Sequence, residues 1–285
     1  MPRSFLSGRT AIIAGNGVLP IVVAQELEKR GQNPFIVLLR GEADVALYSY
    51  QHCELSIVEL ARLFKVLKAT EIHNVILAGG VKKRPSLLQL RPDWTTLSAL
   101  SKLFKALRSG DDTLLKAFIR VVEDRGFCVV GAHEVVPDLL APIECNLTLQ
   151  SATPKQSADI LLAIEAARLL GRLDIGQAAV AIDGRVVAVE DSKGTDNMLK
   201  RVQEIRERQH LPQGGVLVKC AKPQQDYRVD LPSIGPTTVI NVAKSGLSGI
   251  AVEAKKSLIL SLEKTIEEAN KHSLFIETFR TTDNE

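Results

Sequence analysis

Residues 10–14, Thr-Ala-Ile-Ile-Ala, form a short apolar run that stops at Gly15-Asn16-Gly17, after which Val18, Leu19 and Pro20 open a stretch with helical periodicity to residue 30. Glycines supply the dihedrals of a tight turn, and proline suits a first helical turn whose N–H groups lack intrahelical partners anyway. A second apolar run at residues 34–39 follows Gly31. Strand, glycine turn, helix and strand in that order make a βαβ unit, and its crossover requires parallel strands with helices packed on the sheet. The expected fold class is therefore α/β, opening with a Rossmann-like parallel domain over residues 1–145.

The glycine turn departs from the dinucleotide fingerprint in two places. Pro20 stands where G-x-G-x-x-G has its third glycine, and the second strand runs into Arg40-Gly41 where an acid would hold a ribose. Both disfavour a dinucleotide-dependent oxidoreductase. Gly15, Asn16, Gly17 and Leu19 can still present backbone N–H groups to a phosphate or a uridine edge, the alternative being a purely structural turn. Gly79 and Gly80 carry the same two readings at the end of a strand over residues 74–77. Lys82, Lys83 and Arg84 follow at that strand's carboxyl end, where α/β sheets bind ligands, so Lys83 is a candidate substrate contact, the alternative being solvated surface.

At 285 residues, 45% hydrophobic and 24% charged, the chain is long enough for two domains of ordinary globular composition. A net charge of +3 and 4% aromatic residues give no basic, aromatic-interleaved surface for nucleic acid. Cys53, Cys128, Cys145 and Cys220 are widely spaced without a Cys-x-x-Cys, which argues against zinc and disulfides and for a reduced, cytoplasmic setting. No segment reaches the roughly 18 apolar residues that span a bilayer.

Further periodicity predicts helices over residues 56–68, with Ile57, Leu60, Leu63, Phe64 and Leu67 inward, over 97–107, and over 112–125 after a turn at Ser109-Gly110-Asp111. Residues 131–150 lose periodicity and hold the domain connection. A mixed α/β domain, residues 146–285, begins at a Thr153/Gln156 capping box whose helix runs to residue 170 and stops at Gly171. Asp183-Gly184 joins two strands as a hairpin, and a helix over 197–209 follows with Thr195 or Asp196 as its cap. Glu190 and Asp191 beside that helix start add acids that capping does not explain.

The densest chemistry lies in residues 216–242. An apolar strand is followed within twelve residues by Lys219, Lys222, Asp226, Arg228 and Asp230, between Pro223 and Pro232, before a helix that Thr237 or Thr238 could cap. Lysines and a bidentate arginine suit phosphate oxygens, and aspartates are hard donors of the kind Mg²⁺ takes beside substrate phosphates. The stretch reads as a metal-assisted phosphate site, against the alternative of a solvated turn.

The same stretch, KCAKPQQDYRVDLPSIGPTT, resembles the KxxKPxQDxRxDLPxxGxxT signature of the UDP-2,3-diacylglucosamine pyrophosphatase family of the lipid A pathway. AIIAGNGVLP, ILAGGVKKRPSL, SGDDTLL, VEDSKGTDNML and SGLSGIAVEA extend the resemblance over nearly the whole chain. The resemblance implies Mg²⁺-dependent hydrolysis of the diphosphate to 2,3-diacylglucosamine 1-phosphate (lipid X) and UMP. It implies a homodimer, and contact with the cytoplasmic face of the inner membrane through the substrate's acyl chains. Asp226 is then the first choice for the essential acid, as metal ligand or water orienter, with Lys219, Lys222 and Arg228 clamping the diphosphate. Asp230 and Asp191 are further metal candidates, and Thr195, Asp196, Gln225 and Thr238 substrate contacts. A non-catalytic carrier of an acylated nucleotide sugar is the alternative.

Overall fold

The computed structural model describes residues 7–81 and 111–281. Lys83 with its basic neighbours, the helix expected over residues 97–107 and the turn at Ser109-Gly110 lie outside the described residues. The chain divides into two compact units, Met1–Pro137 with Asp226–Val229, and Asp138–Gln225 with Asp230–Glu285.

In the first unit, β1 (Arg9–Ala14), α1 (Leu19–Lys29), β2 (Phe35–Leu39), β3 (His52–Leu55), α2 (Leu60–Ala69), β4 (Ile72–Ala78), α3 (Asp111–Glu123), β5 (Cys128–Val130) and the short α4 (Ala132–Val135) follow in order. Every strand pairing is parallel, in the order β3-β2-β1-β4-β5. Alternate residues explain the layers. Ala11, Ile13, Val37 and Leu39 face Leu60, Leu63, Phe64 and Leu67 of α2, while Ile12, Ala14, Ile36 and Leu38 face Val23, Ala24 and Leu27 of α1. A sheet buried on both faces needs continuous apolar runs, which is what residues 10–14 and 34–39 supply. Helix α2 begins four residues later than its periodicity suggests. The Glu59 carboxylate accepts the Ser56 N–H at 2.7 Å and closes a turn there, leaving Ile57 38% exposed instead of inward.

The second unit comprises α5 (Pro154–Arg172), β6 (Ala178–Ile182), β7 (Arg185–Val189), α6 (Gly194–Gln209), β8 (Val216–Lys219), β9 (Ser233–Ile234), α7 (Pro236–Lys244), β10 (Gly249–Glu253), β11 (Leu258–Ile259), α8 (Leu262–Lys271) and β12 (Phe275–Phe279). Its sheet has the order β12-β10-β8-β6-β7, with β12, β10 and β8 parallel and β6 antiparallel to both β8 and β7. Strand β8 is thus central, and Val216, Leu217, Val218 and Lys219 are all buried.

Local chemistry explains most of the boundaries. The Thr153/Gln156 capping box forms, with the Gln156 N–H donating to Thr153 Oγ1 at 3.3 Å and the Thr153 N–H to Gln156 Oε1 at 2.8 Å. Asp183 and Gly184 take φ of +58° and +74°, the left-handed pair a two-residue type I′ hairpin demands. Gly171 does not end α5, which continues to Arg172. A Cβ at that position would stand 3.3 Å from Pro223 Cδ and 3.4 Å from Lys222 Cα, so the glycine serves close approach of the loop after β8. The expected threonine caps also do not form: Lys193 and Gly235 occupy the two N-cap positions, neither with a side-chain bond.

The glycine turns after β1 and β4 hold each other. The Asn16 N–H donates to Gly80 O at 2.8 Å and the Gly80 N–H returns to Asn16 O at 3.0 Å. A Cβ on Gly15 would lie 2.2 Å from Gly80 O, and one on Gly79, whose φ is +87°, 2.4 Å from Asn16 O. Gly17, at φ +94°, has open space around it. We therefore expect Gly79→Ala to lower the stability of the protein by about 2 kcal/mol or more, from strain added to overpacking. Gly17→Ala is expected to lower it by only about 1–2 kcal/mol, from the left-handed backbone alone. Denaturant unfolding of the two variants checks the order.

Candidate active site

Strand β8 ends at Lys219, 6% exposed, with its side chain turned into a polar network. Lys219 Nζ donates to Thr195 Oγ1 at 2.9 Å and to the Ser233 carbonyl at 3.0 Å. The Thr195 hydroxyl donates to Glu190 Oε1 at 2.6 Å, and Glu190 Oε2 accepts the Gln177 N–H at 2.9 Å. Among the described residues no carboxylate touches Lys219 directly.

The chain then passes through buried Cys220 and Ala221, the Ala221 N–H donating to Glu253 Oε2 at 3.0 Å. Burial pushes the Cys220 thiol far above its usual range, so it is an inert core residue. Lys222 Nζ forms an ion pair with Asp174 Oδ1 at 2.7 Å. Its N–H donates to Gln225 Oε1 at 2.9 Å, and the Gln225 N–H donates to the Lys222 carbonyl at 3.0 Å, which closes a tight turn. Gln224 Nε2 reaches the Gly171 carbonyl at 2.7 Å, where the missing side chain lets the loop approach. With Gln225 Oε1 fixed by Lys222, its Nε2 is left buried and, among the described residues, unpartnered. An unsatisfied buried donor costs about 1–3 kcal/mol, which marks it as a group available to a ligand.

Asp226–Val229 belongs to the first unit. Val229 packs against the apolar cluster of α2 and α3, and Arg228 Nη1 donates to Glu123 Oε1 of α3 at 2.6 Å. Arg228 also grips Asp226: Nε donates to Oδ1 at 2.9 Å, Nη2 to Oδ2 at 2.7 Å, and the Arg228 N–H to Oδ1 at 3.1 Å. These bonds hold the Asp226 carboxyl below the usual carboxylate range, with Lys116 of α3 adding its charge. The two carboxylates raise the Arg228 guanidinium in turn. Among the described residues, three of roughly four acceptor positions on Asp226 are filled, leaving one on Oδ2.

The remaining candidates are dispersed over the two units. Gly15, Asn16, Gly17 and Leu19 form the turn into α1, with Gly79 and Gly80 against it, and Asn16 Nδ2 donates to Glu42 Oε2 at 2.9 Å. Glu42 lies just past the Arg40-Gly41 at the end of β2. Asp191 accepts from Arg201 at 2.6 Å and from the Lys193 N–H at 2.8 Å, the latter chiefly lowering its pKa. Asp196 accepts from Asn241 of α7 at 2.8 Å, Thr238 lies half-buried in the first turn of α7, and Asp230 is half-buried in the second unit. Among the described residues no three His, Cys, Asp or Glu side chains converge as a metal cage. Mg²⁺ commonly takes only one or two carboxylates beside substrate phosphates, and an ionised Asp226 with a free acceptor position fits that mode.

Five residues outside the signature surround its side chains: Lys116 and Glu123 around Asp226 and Arg228, Asp174 on Lys222, and Thr195 on Lys219 with Glu190 behind it. Glu123 is 105 positions from Arg228 and Asp174 is 48 from Lys222, so no local pattern announces either. Glu190 did carry a signal, as an acid that helix capping left unexplained.

Residues 9–139 match the family model described as the LpxI N-terminal domain, and residues 144–277 match the LpxI C-terminal domain. The UDP-2,3-diacylglucosamine pyrophosphatase LpxI of Caulobacter vibrioides is 40% identical to this chain over 274 residues, covering 94% of this chain and 96% of that protein. Both halves thus match one family in sequence order, and a relative of that similarity spans nearly the full length. This chain belongs to the LpxI family.

Proposed function

We propose that this protein hydrolyses the diphosphate of UDP-2,3-diacylglucosamine to 2,3-diacylglucosamine 1-phosphate and UMP, working with Mg²⁺. The observation that carries the reading is Asp226, kept ionised by Arg228 and left with one acceptor position. A carboxylate in that state accepts a proton's hydrogen bond from water and aims the oxygen lone pair at phosphorus. Lys219, with a third proton uncommitted among the described residues, and the unpartnered Gln225 Nε2 supply donors to diphosphate oxygens as charge develops. Arg228 and Lys222 are already paired with acids, which gives them the work of holding Asp226 and the loop. When bound, Mg²⁺ would neutralise phosphate charge as a Lewis acid; Asp226 is the first candidate to hold it, and Asp230 and Asp191 are the further candidates. No helix among the described residues is long and apolar enough to cross a membrane, and the substrate's acyl chains are the route to a peripheral membrane contact. The assembly proposed from the family resemblance is a homodimer, and the compartment the cytoplasm.

Phosphorus NMR of the diacyl UDP-sugar with the enzyme, in the presence and absence of Mg²⁺, tests this reading. UMP and a sugar 1-phosphate are expected only with the metal, and binding without product would overturn catalysis in favour of a carrier. Unacylated UDP-N-acetylglucosamine should turn over very poorly, since each buried CH₂ contributes about 0.8 kcal/mol.

Asp226→Asn keeps the side-chain shape and removes the charge. It is expected to fold and bind substrate but to lose about two or more orders of magnitude in kcat, the scale of one positioned catalytic group. Asp230→Asn is the comparison, and a larger loss there would transfer the role to Asp230. The pH profile tests Arg228. Held below the ordinary 3.8, Asp226 stays ionised on the acid side, so kcat is expected to remain level between about pH 7 and pH 5. Arg228→Lys removes the two-pronged contact, raises the Asp226 pKa and moves the acidic limb to higher pH; an unmoved limb would show that Arg228 does not set that ionisation.

A further inference from the structure

Glu190 and Lys219 are both buried, each 6% exposed, and both lie beside Ala178 at the start of β6. The Glu190 N–H extends the β6–β7 pairing to the Ala178 carbonyl at 2.9 Å, and Lys219 is the register partner of Ala178 on the other side. The sheet therefore sets an acid and a lysine one strand apart, and the first turn of α6 lays Thr195 across them. Among the described residues, Glu190 reaches Lys219 through that hydroxyl and not directly.

The direction of the bonds follows from chemistry. A carboxylate can only accept, so the Thr195 proton goes to Glu190 and a lone pair of Oγ1 is turned to Lys219 Nζ. A direct ion pair, like the one Asp174 makes with Lys222, would place an acid on the lysine and compete with any anionic ligand. A hydroxyl in between keeps the favourable charge nearby, fixes Nζ with the Ser233 carbonyl, and leaves the third proton of Lys219 uncommitted among the described residues. We propose that Glu190 and Thr195 are positioning residues that aim Lys219 at a phosphate oxygen of the substrate. This rests on the reading of Lys219 as a diphosphate-facing group.

The test is a mutant cycle with the diacyl UDP-sugar as substrate and thermal unfolding of each variant as a check on the fold. Thr195→Val, which keeps the shape and removes the relay, is expected to lower kcat roughly tenfold or more, the scale of a hydrogen bond to a charged group. KM should stay within about twofold of the parent, as for an interaction made mainly in the transition state. Thr195→Ser should restore most of the turnover, and Glu190→Gln should resemble Thr195→Val. In a Lys219→Met background, Thr195→Val should have no further effect, because the two changes remove one interaction. Equal kcat for Thr195→Val and the parent, or an undiminished Thr195→Val effect in the Lys219→Met background, would overturn the positioning role. Full turnover by Lys219→Met alone would instead remove the diphosphate-facing reading of Lys219, and the positioning role with it.

Discussion

Charge brought to the end of a buried strand has to be answered, and the signature segment of this protein is arranged around that requirement. Removing a lysine or arginine from water is expensive unless its protons find partners. Each cation here meets a different solution: Arg228 pairs with the carboxylates of Asp226 and Glu123; Lys222 pairs with Asp174; Lys219 takes a hydroxyl and a carbonyl, with Glu190 one bond further away. The three are not equivalent donors to a ligand. A phosphate approaching Arg228 or Lys222 would meet an acid already bound there, whereas among the described residues Lys219 has no carboxylate in direct contact. Charge density in a sequence counts cations, and the folded protein sorts them by what they already hold.

Much of the framework was legible because it rests on short-range chemistry. The glycine turn and Pro20 after the first apolar run, the Asp183-Gly184 hairpin and the Thr153/Gln156 box each depend on residues a few positions apart, and each forms. The misreadings share a physical origin as well. Gly171 looks like a helix stop but is small because Lys222 and Pro223, 51 and 52 positions further along the sequence, press on it, a tertiary reason that local rules cannot contain. Thr195 looks like a cap because threonine at a helix start commonly is one, yet its hydroxyl has a buried acid and a buried lysine to join. Ile57 fits a helical stripe, and the Glu59–Ser56 bond simply closes the chain into a turn first.

In the site, residue types were readable and partnerships were not. Asp226 and Arg228 stand two apart, so their mutual grip is a local possibility; Lys116 and Glu123, which complete the environment, come from α3. The division of the signature was also hidden. Asp226–Val229 belongs with the first unit although the residues on either side belong to the second, and the apolar Val229 and the Arg228–Glu123 pair are what attach it there.

That division has a consequence for how firmly Asp226 is held. Two turns follow one another without a spacer: the Gln225 N–H closes on the Lys222 carbonyl at 3.0 Å, and the Val229 N–H closes on the Asp226 carbonyl at 3.1 Å. The first is fixed by Lys222–Asp174 and by Gln224 on Gly171, the second by Arg228–Glu123 and the burial of Val229. Ordering a residue's backbone costs about 1–2 kcal/mol, so a loop carrying a catalytic carboxylate is a poor tool if that ordering must be supplied at each encounter with substrate. Here folding supplies it in advance, and Asp226 stands ordered and ionised in the folded protein. The acids that restrain Arg228 and Lys222 come from 105 and 48 positions away, which is why the residues that organise this segment are spread so much more widely along the chain than the signature that reveals it.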